Sequence, residues 1–145
     1  MAIEIRILGP QGLSVLDRVA PDVFDHPINE EQSAEFLSDP RHHLAVAIDE
    51  GAVVGFVSAV HYVHPDKPSP ELWINEVSVA ATHRRQGLAT KLLHVMFDLA
   101  RRLGCTEAWV LTDRENTAAM RLYAGVRGAT APAESVMFTF LLPDD

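Results

Sequence analysis

The stretch Leu72-Trp73-Ile74-Asn75-Glu76-Val77-Ser78-Val79, continued by Ala80-Ala81-Thr82-His83-Arg84-Arg85-Gln86-Gly87 and then Leu88-Ala89-Thr90, decides the architecture. Its first eight residues form a run of strand length in which Glu76 is the one charge inside apolar surroundings. Beyond the turn, Leu88, Leu92, Met96, Leu99 and Leu103 recur at intervals of four and three, which is one apolar helix face. Gly104 then stands where a left-handed C-terminal cap belongs. A strand that turns into a long helix gathers unpaired backbone N–H groups and the positive end of the helix dipole at one spot, which suits a phosphate. Gly87 and small Ala89 let such a group approach the backbone, and Arg84 and Arg85 add charge. The segment is neither the GxxxxGK[ST] loop nor the GxGxxG fingerprint, and a basic helix start beside a turn would look the same.

Working outward, Ile3, Ile5 and Ile7 alternate with Glu4 and Arg6 as a half-buried strand stopped by Gly9-Pro10. Leu13, Leu16, Val19 and Val23 fall at helical spacing up to about Phe24, and Asn29 followed by Gln32 reads as the capped start of a second short helix through Leu37. Residues 44–48 and 53–60, joined by Asp49-Glu50-Gly51, read as a hairpin. After the central strand and helix, residues 108–112 give a short strand and residues 116–124 a helix. Residues 136–142 then give a closing strand. The order β, α, α, β, β, β, α, β, α, β predicts a mixed α/β (α+β) sheet with a crossover in its second half.

No repeat, low-complexity run or linker divides the 145 residues, and 48% hydrophobic composition is enough for a core, so one domain over residues 1–145 is expected. The start lacks a basic segment leading into an apolar run, and no stretch nears the roughly 18 residues of a membrane helix, so the expectation is a soluble, cytoplasmic protein without a membrane partner. A net charge of −8 argues against nucleic acid. Cys105 stands alone and reads as a half-buried small apolar residue. His42-His43 cannot both point one way on a strand, and no histidine has convincing zinc spacing, so no metal is expected. Charge is uneven: residues 17–39 hold Asp17, Asp22, Asp25, Glu30, Glu31, Glu35 and Asp39 against Arg18 alone. That pattern is either a solvated helical face or a cleft that attracts a polycation.

Read with Arg84 first, Gly87 as the fixed glycine and Ala89 as the final small residue, the turn resembles the Q/R-x-x-G-x-G/A loop of the GNAT N-acetyltransferases. Asn116-Thr117-Ala118-Ala119-Met120-Arg121-Leu122-Tyr123 is similar to that family's N-x-x-A-x-x-L-Y helix, at about the family's distance from the loop. The resemblance implies a GNAT fold with a mixed sheet of about six to seven strands and about four helices, splayed between the fourth and fifth strands. It implies acetyl-CoA as co-substrate, its diphosphate on Arg84, Arg85, Gln86, Gly87, Leu88, Ala89 and Thr90. Its pantetheine arm would lie between the edge Val77, Ser78, Val79 and the edge ending at Thr112, with Asn116 and Ala119 beside it. Tyr123 would protonate the departing thiolate, and the Val77 N–H would face the oxyanion. A core tyrosine with a satisfied hydroxyl is the other reading of Tyr123. The family usually places a glycine four residues after the tyrosine, whereas Gly128 comes five after Tyr123, which leaves the turn there open.

An acceptor amine must be neutral before it attacks the thioester, so a base or a proton-relaying water is required. Glu76 is the candidate, on the argument that burial in an apolar strand raises a carboxylate's pKa; an ion pair with a core cation is the alternative. His61, His64 and His83 are rival bases. The run of residues 74–90 and the ending Val136-Met137-Phe138 look like the aminoglycoside 3-N-acetyltransferases of the gentamicin and fortimicin type, although an aspartate usually stands there in place of Glu76. That likeness implies a cationic small-molecule amine held by Asp22, Asp25, Glu30, Glu31, Asn75, Glu76, Asp113 and Glu134. It also implies a homodimer. Polyamines or peptide amines, and an acetyl-CoA-binding module without turnover, remain as alternatives.

Overall fold

The computed structural model describes residues 2–130 and 135–143. Five strands, β1 (Glu4–Leu8), β2 (His42–Asp49), β3 (Ala52–Tyr62), β4 (Glu71–Val79) and β5 (Glu107–Val110), lie side by side in chain order. Every pair is antiparallel except β4 and β5, which run parallel. Parallel neighbours need a crossover, and helix α2 (Leu88–Arg102) supplies it. Helix α1 (Glu30–Ser38) lies between β1 and β2 in the chain, and α3 (Thr117–Gly125) follows β5.

The sheet is covered on two faces because its middle strands are apolar almost throughout, with six consecutive buried residues in β2 and seven in β3. Phe56 points to one face and stacks on Phe24 with ring centroids 4.0 Å apart. Gly55, next to it, faces α2: a Cβ there would lie 3.4 Å from Leu92 and 3.1 Å from the Ser78 carbonyl, so the close seating of the helix depends on the missing side chain. Leu88, Leu92, Leu93, Met96 and Ala100 form the buried stripe of α2. Gly104 caps the helix at φ 88°, with the Cys105 N–H donating to the Ala100 carbonyl. In the β2–β3 hairpin Glu50 and Gly51 both take positive φ, the conformation of a two-residue primed turn.

The β3–β4 ladder breaks its regular register at one point. Ser58 pairs with Glu76 but Ala59 pairs with Ile74, so Asn75 is an extra residue on β4. A bulge bends and twists its strand. β5 pairs only with Glu71 to Ile74, and β4 runs on past the bulge to Val79 without it. This is the predicted splay between fourth and fifth strands.

Three expectations are corrected. The helix expected over residues 13–24 is only a 3-10 turn at Leu13–Asp17; beyond it the Val53 N–H donates to the Arg18 carbonyl and the Ala20 N–H to the Val53 carbonyl, bonds to the sheet that a helix could not also make. Asp22 at φ 62° completes the break. Residues 136–142 form no strand: a strand needs a partner, and among the described residues the segment has none. Strands and helices among the described residues therefore number five and three, below the six to seven and four that were expected. The capped start at Asn29 is present, its side chain accepting from the Gln32 N–H at 2.9 Å. Among the described residues no helix is long and apolar enough to cross a membrane.

Candidate active site

Beyond β4 the chain makes a short 3-10 turn at Ala81–His83 and then the exposed segment of residues 84–87. Its path is pinned from several sides. The Ala80 N–H donates to the Val54 carbonyl at 2.7 Å, Arg84 Nε donates to the Val79 carbonyl at 3.2 Å, and His83 Nε2 meets Asp49 Oδ2 at 2.7 Å. The last contact ties the loop to the β2–β3 turn. Arg85 and Gly87 both adopt left-handed φ, 63° and 77°. Gly87 is the N-cap of α2, and no side chain caps that helix. Its first N–H groups therefore point outward unclaimed by a cap. A Cβ on Gly87 would meet no protein atom within 4 Å, so the space in front of these donors is open. Donors, two exposed arginines and open space together fit a diphosphate.

Among the other residues named for the co-substrate, Leu88 is buried under the loop while Ala89 and Thr90 are half-buried in the first turn of α2. Val77, Ser78 and Val79 line the part of β4 that β5 has left. Thr112 lies two residues past the end of β5 and is exposed. Asn116 caps α3, its Oδ1 accepting from the Ala119 N–H at 3.1 Å, which leaves its amide group as a donor. Tyr123 is half-buried on α3, and burial pushes its phenol above the ordinary value. The turn after α3, open in the sequence, has a simple form. Gly128 donates its N–H to the Tyr123 carbonyl at 2.8 Å, and Arg127, at φ 69°, takes the left-handed position that a glycine would otherwise occupy.

Glu76 lies on the sheet face opposite α2, across from Ser58. It is exposed rather than buried, so the desolvation argument for it does not hold. It lines a cavity of about 330 Å³ between that face and α1, walled by Phe24, Ile28, Phe36, Leu44 and Phe56, with Asp25, His26, Gln32 and Ser33 among its polar groups. An adjoining cavity of about 400 Å³ takes in Asp17, Asp22 and Asp25. Of the residues named for the acceptor, Asp25 and Glu76 meet at the first cavity and Asp22 reaches the second. Glu30 and Glu31 sit in the exposed first turn of α1, where they complement the helix dipole, and line neither cavity. Asn75 is the exposed bulge residue, Asp113 is exposed beyond β5, and Glu134 lies outside the described residues.

The rival histidines are otherwise engaged. His64 pairs with Glu71 at 2.5 Å, His83 with Asp49, and His61 with His43 at 2.7 Å. None of them lines the cavity of Glu76, whereas His26 does. His26 gives no signal in the sequence, because a lone histidine in a proline-flanked loop carries no periodicity. Ser58 gives none either, since its place opposite Glu76 depends on the bulge.

Residues 13–128 match the description of the acetyltransferase (GNAT) family. The chain belongs to the GNAT acetyltransferase family. Among its GNAT relatives, the aminoglycoside N(6′)-acetyltransferase type 1 of Serratia marcescens is 32% identical over 108 residues, covering 72% of this chain and 73% of that protein. N-acetyltransferase family 8 member 2 of Rattus norvegicus is 33% identical over 81 residues, 56% of this chain and 36% of that protein. N-acetyltransferase 8 of the same organism is 31% identical over 102 residues, 70% of this chain and 46% of that protein, so the chain spans about a third to a half of these rat relatives. The GNAT fold is shared with a crystal structure of an aminoglycoside acetyltransferase from an uncultured soil metagenomic sample in complex with trehalose, at TM-score 0.82, 22% identity and 97% of both chains. It is shared also with the aminoglycoside N-acetyltransferase AAC(6′)-Iy in complex with CoA, at TM-score 0.76, 21% identity, 97% of this chain and 95% of that one.

Proposed function

We propose that this GNAT chain moves the acetyl group of acetyl-CoA to a primary amine of an aminoglycoside. The observation that carries the reading is the gathering of Asp17, Asp22, Asp25 and Glu76 around two adjoining cavities, one on the sheet face of Glu76 and the other lined by residues 16–28, beside the strand that leads into the α2 loop. Carboxylates so grouped attract and orient a polycation, most strongly at low ionic strength. The Serratia relative, named for the same class of acceptor, supports it.

Acetyl-CoA supplies an activated acyl group with a thiolate leaving group. The chain's own residues do the rest. Backbone N–H groups at residues 87–90, with Arg84 and Arg85, hold the diphosphate, and the free edge of β4 past Ile74 holds the arm. Glu76, directly or through water, takes a proton from the acceptor ammonium so that its nitrogen lone pair attacks the carbonyl carbon. The Val77 N–H faces the developing oxyanion. As the carbon–sulfur bond breaks, Tyr123 gives its proton to the sulfur; a phenol with a raised pKa is still protonated when needed.

The 3-amino group of the acceptor is our proposal for the reacting amine, on the resemblance of residues 74–90 to the gentamicin-type enzymes, whereas the Serratia relative is named for the 6′ position. The deciding experiment is thiol release from acetyl-CoA against aminoglycosides, polyamines and lysine peptides, with NMR assignment of the acetylated nitrogen. Acceptor-dependent release with an aminoglycoside acetylated at the 3-amino group is the expected outcome. Release with polyamines or peptides alone moves the acceptor class, acetylation at 6′ moves only the position, and co-substrate binding with no release from any acceptor leaves a binding module.

A further inference from the structure

The cavity beside Glu76 is polar mainly at its mouth. Around it, Asp25, His26, Asn29, Gln32 and Glu76 are exposed, whereas Phe24, Ile28 and Phe36 are half-buried and Leu44 and Phe56 are buried. Exposure thus sorts the lining into a polar rim and an apolar interior. Ser58 is the one polar residue of the lining that is buried. The interior is also aromatic. Phe56 and Phe24 stack with ring centroids 4.0 Å apart, and Phe36 reaches the cavity from α1, its ring stacked on that of His42 at 4.9 Å.

A sugar ring of an aminoglycoside does not suit that interior. Such a ring bears a hydroxyl or an amine on most of its carbons, and each polar group taken from water without a partner weakens binding by roughly 10-fold or more. The rim and the adjoining cavity of Asp17, Asp22 and Asp25 suit those rings better. Hydrocarbon has the opposite preference: each methylene buried in the interior strengthens binding about fourfold, and a flat ring packs well among aromatic walls. The cavity volume of about 330 Å³ has room for one small group of this kind.

We infer that the same site acetylates a second class of acceptor, a primary amine joined through a short chain to an aryl or branched alkyl group. The hydrocarbon fills the interior, and the ammonium stands at the rim between Glu76 and Asp25. This rests on the reading of the Glu76 cavity as the acceptor site. The chemistry is unchanged: the nitrogen–carbon bond forms as the carbon–sulfur bond breaks. Of the two protons the ammonium gives up, one leaves through Glu76 and the other replaces the proton that Tyr123 gives to the sulfur.

The test is thiol release from acetyl-CoA with the straight-chain amines from ethylamine to hexylamine, with 2-phenylethylamine, and with aminoglycosides. The alkylamines differ little in basicity, so their ranking reports on the cavity. Their kcat/KM should climb about fourfold per methylene until the interior is full, and 2-phenylethylamine should exceed ethylamine by roughly 100-fold. Added salt should leave that preference in place while it depresses turnover of the aminoglycosides. Ile28→Trp, which fills the interior from the loop before α1, should cut the ratio of 2-phenylethylamine to ethylamine by about 10-fold or more. A flat alkylamine series with aminoglycosides still turned over overturns the second class and leaves the aminoglycoside reading standing. Turnover of the apolar amines with none of the aminoglycosides does the reverse, and no release with any acceptor removes both. A folded Ile28→Trp protein with an unchanged ratio also overturns the inference, because the preference then arises outside this cavity. Should that variant not fold, the alkylamine series decides by itself.

Discussion

At the scale of single residues, the position of a group and its solvation make separate demands, and Glu76 meets only the first. Its carboxylate lines the cavity proposed for the acceptor but is exposed, so the proposal that it serves as a base rests on where it stands. Glu76→Gln should lower kcat by about 100-fold or more with the affinity for acetyl-CoA unchanged, a range set by general base catalysis. Undiminished turnover would transfer the role to His26 or to water alone. Tyr123→Phe should lower turnover by a comparable factor if the phenol protonates the sulfur, and the loss should shrink with thioesters whose thiol is more acidic and leaves unaided. A uniform loss across thioesters would make Tyr123 a packing residue. Gly87 separates folding from binding in the same way. Its left-handed φ makes Gly87→Ala cost about 1–2 kcal/mol of stability, but the open space before it means no protein atom is displaced. Calorimetry should therefore show a modest fall in Tm and a large loss of acetyl-CoA affinity. Unchanged affinity would remove the loop from the site.

Elements whose ends carry their own chemistry were legible from sequence, and elements that depend on a distant partner were not. The α1 start at Asn29, the hairpin turn at Asp49-Glu50-Gly51, and the α2 stop at Gly104 are legible from local residues because the deciding interactions lie within a few positions. The helix drawn over residues 13–24 failed because bonds to Val53 capture Arg18 and Ala20, and no local pattern announces a bridge to the sheet. For the same reason the bulge at Asn75, which starts the splay and sets Glu76 opposite Ser58, is not legible there, although the glycine turn that opens α2 is. The end of α3 carries a prediction of its own. Arg127 stands in a left-handed conformation that costs an ordinary residue about 1 kcal/mol. Arg127→Gly should raise stability by about 0.5–1 kcal/mol in urea titration. Gly128→Ala should lower it, because a Cβ would press within 2.9 Å of the Tyr123 carbonyl and disturb the helix that carries the phenol. A neutral Arg127→Gly would mean the strain is relieved elsewhere.

For the whole molecule, two histidines at the end of the sheet away from the α2 loop bear on its tolerance of acid. His43 is buried at the start of β2, its ring 5.0 Å from that of His61, and burial first, then the neighbouring His61 and His42, hold its imidazole down at about 4, with Asp39 acting the other way. His61 is lowered too, by burial and by Arg41. Above pH 6.5 the imidazole is neutral in both folded and unfolded chains, and folding loses nothing. Between pH 6.5 and about 4 the unfolded chain binds a proton that the folded chain refuses, so stability falls as the pH falls. Below about 4 both states are protonated and the loss stops growing. Solvent that still reaches the ring screens part of the effect, which leaves on the order of 1–2 kcal/mol for His43. Urea midpoints measured from about pH 7.5 down to about 4.5 should therefore fall more steeply for the native chain than for His43→Phe, which keeps the ring stacked on His61 but has no proton to take up. Carboxylates that titrate in the same range act on both proteins alike, so the difference between the two slopes isolates the imidazole. Parallel slopes would show that the pair does not govern acid unfolding.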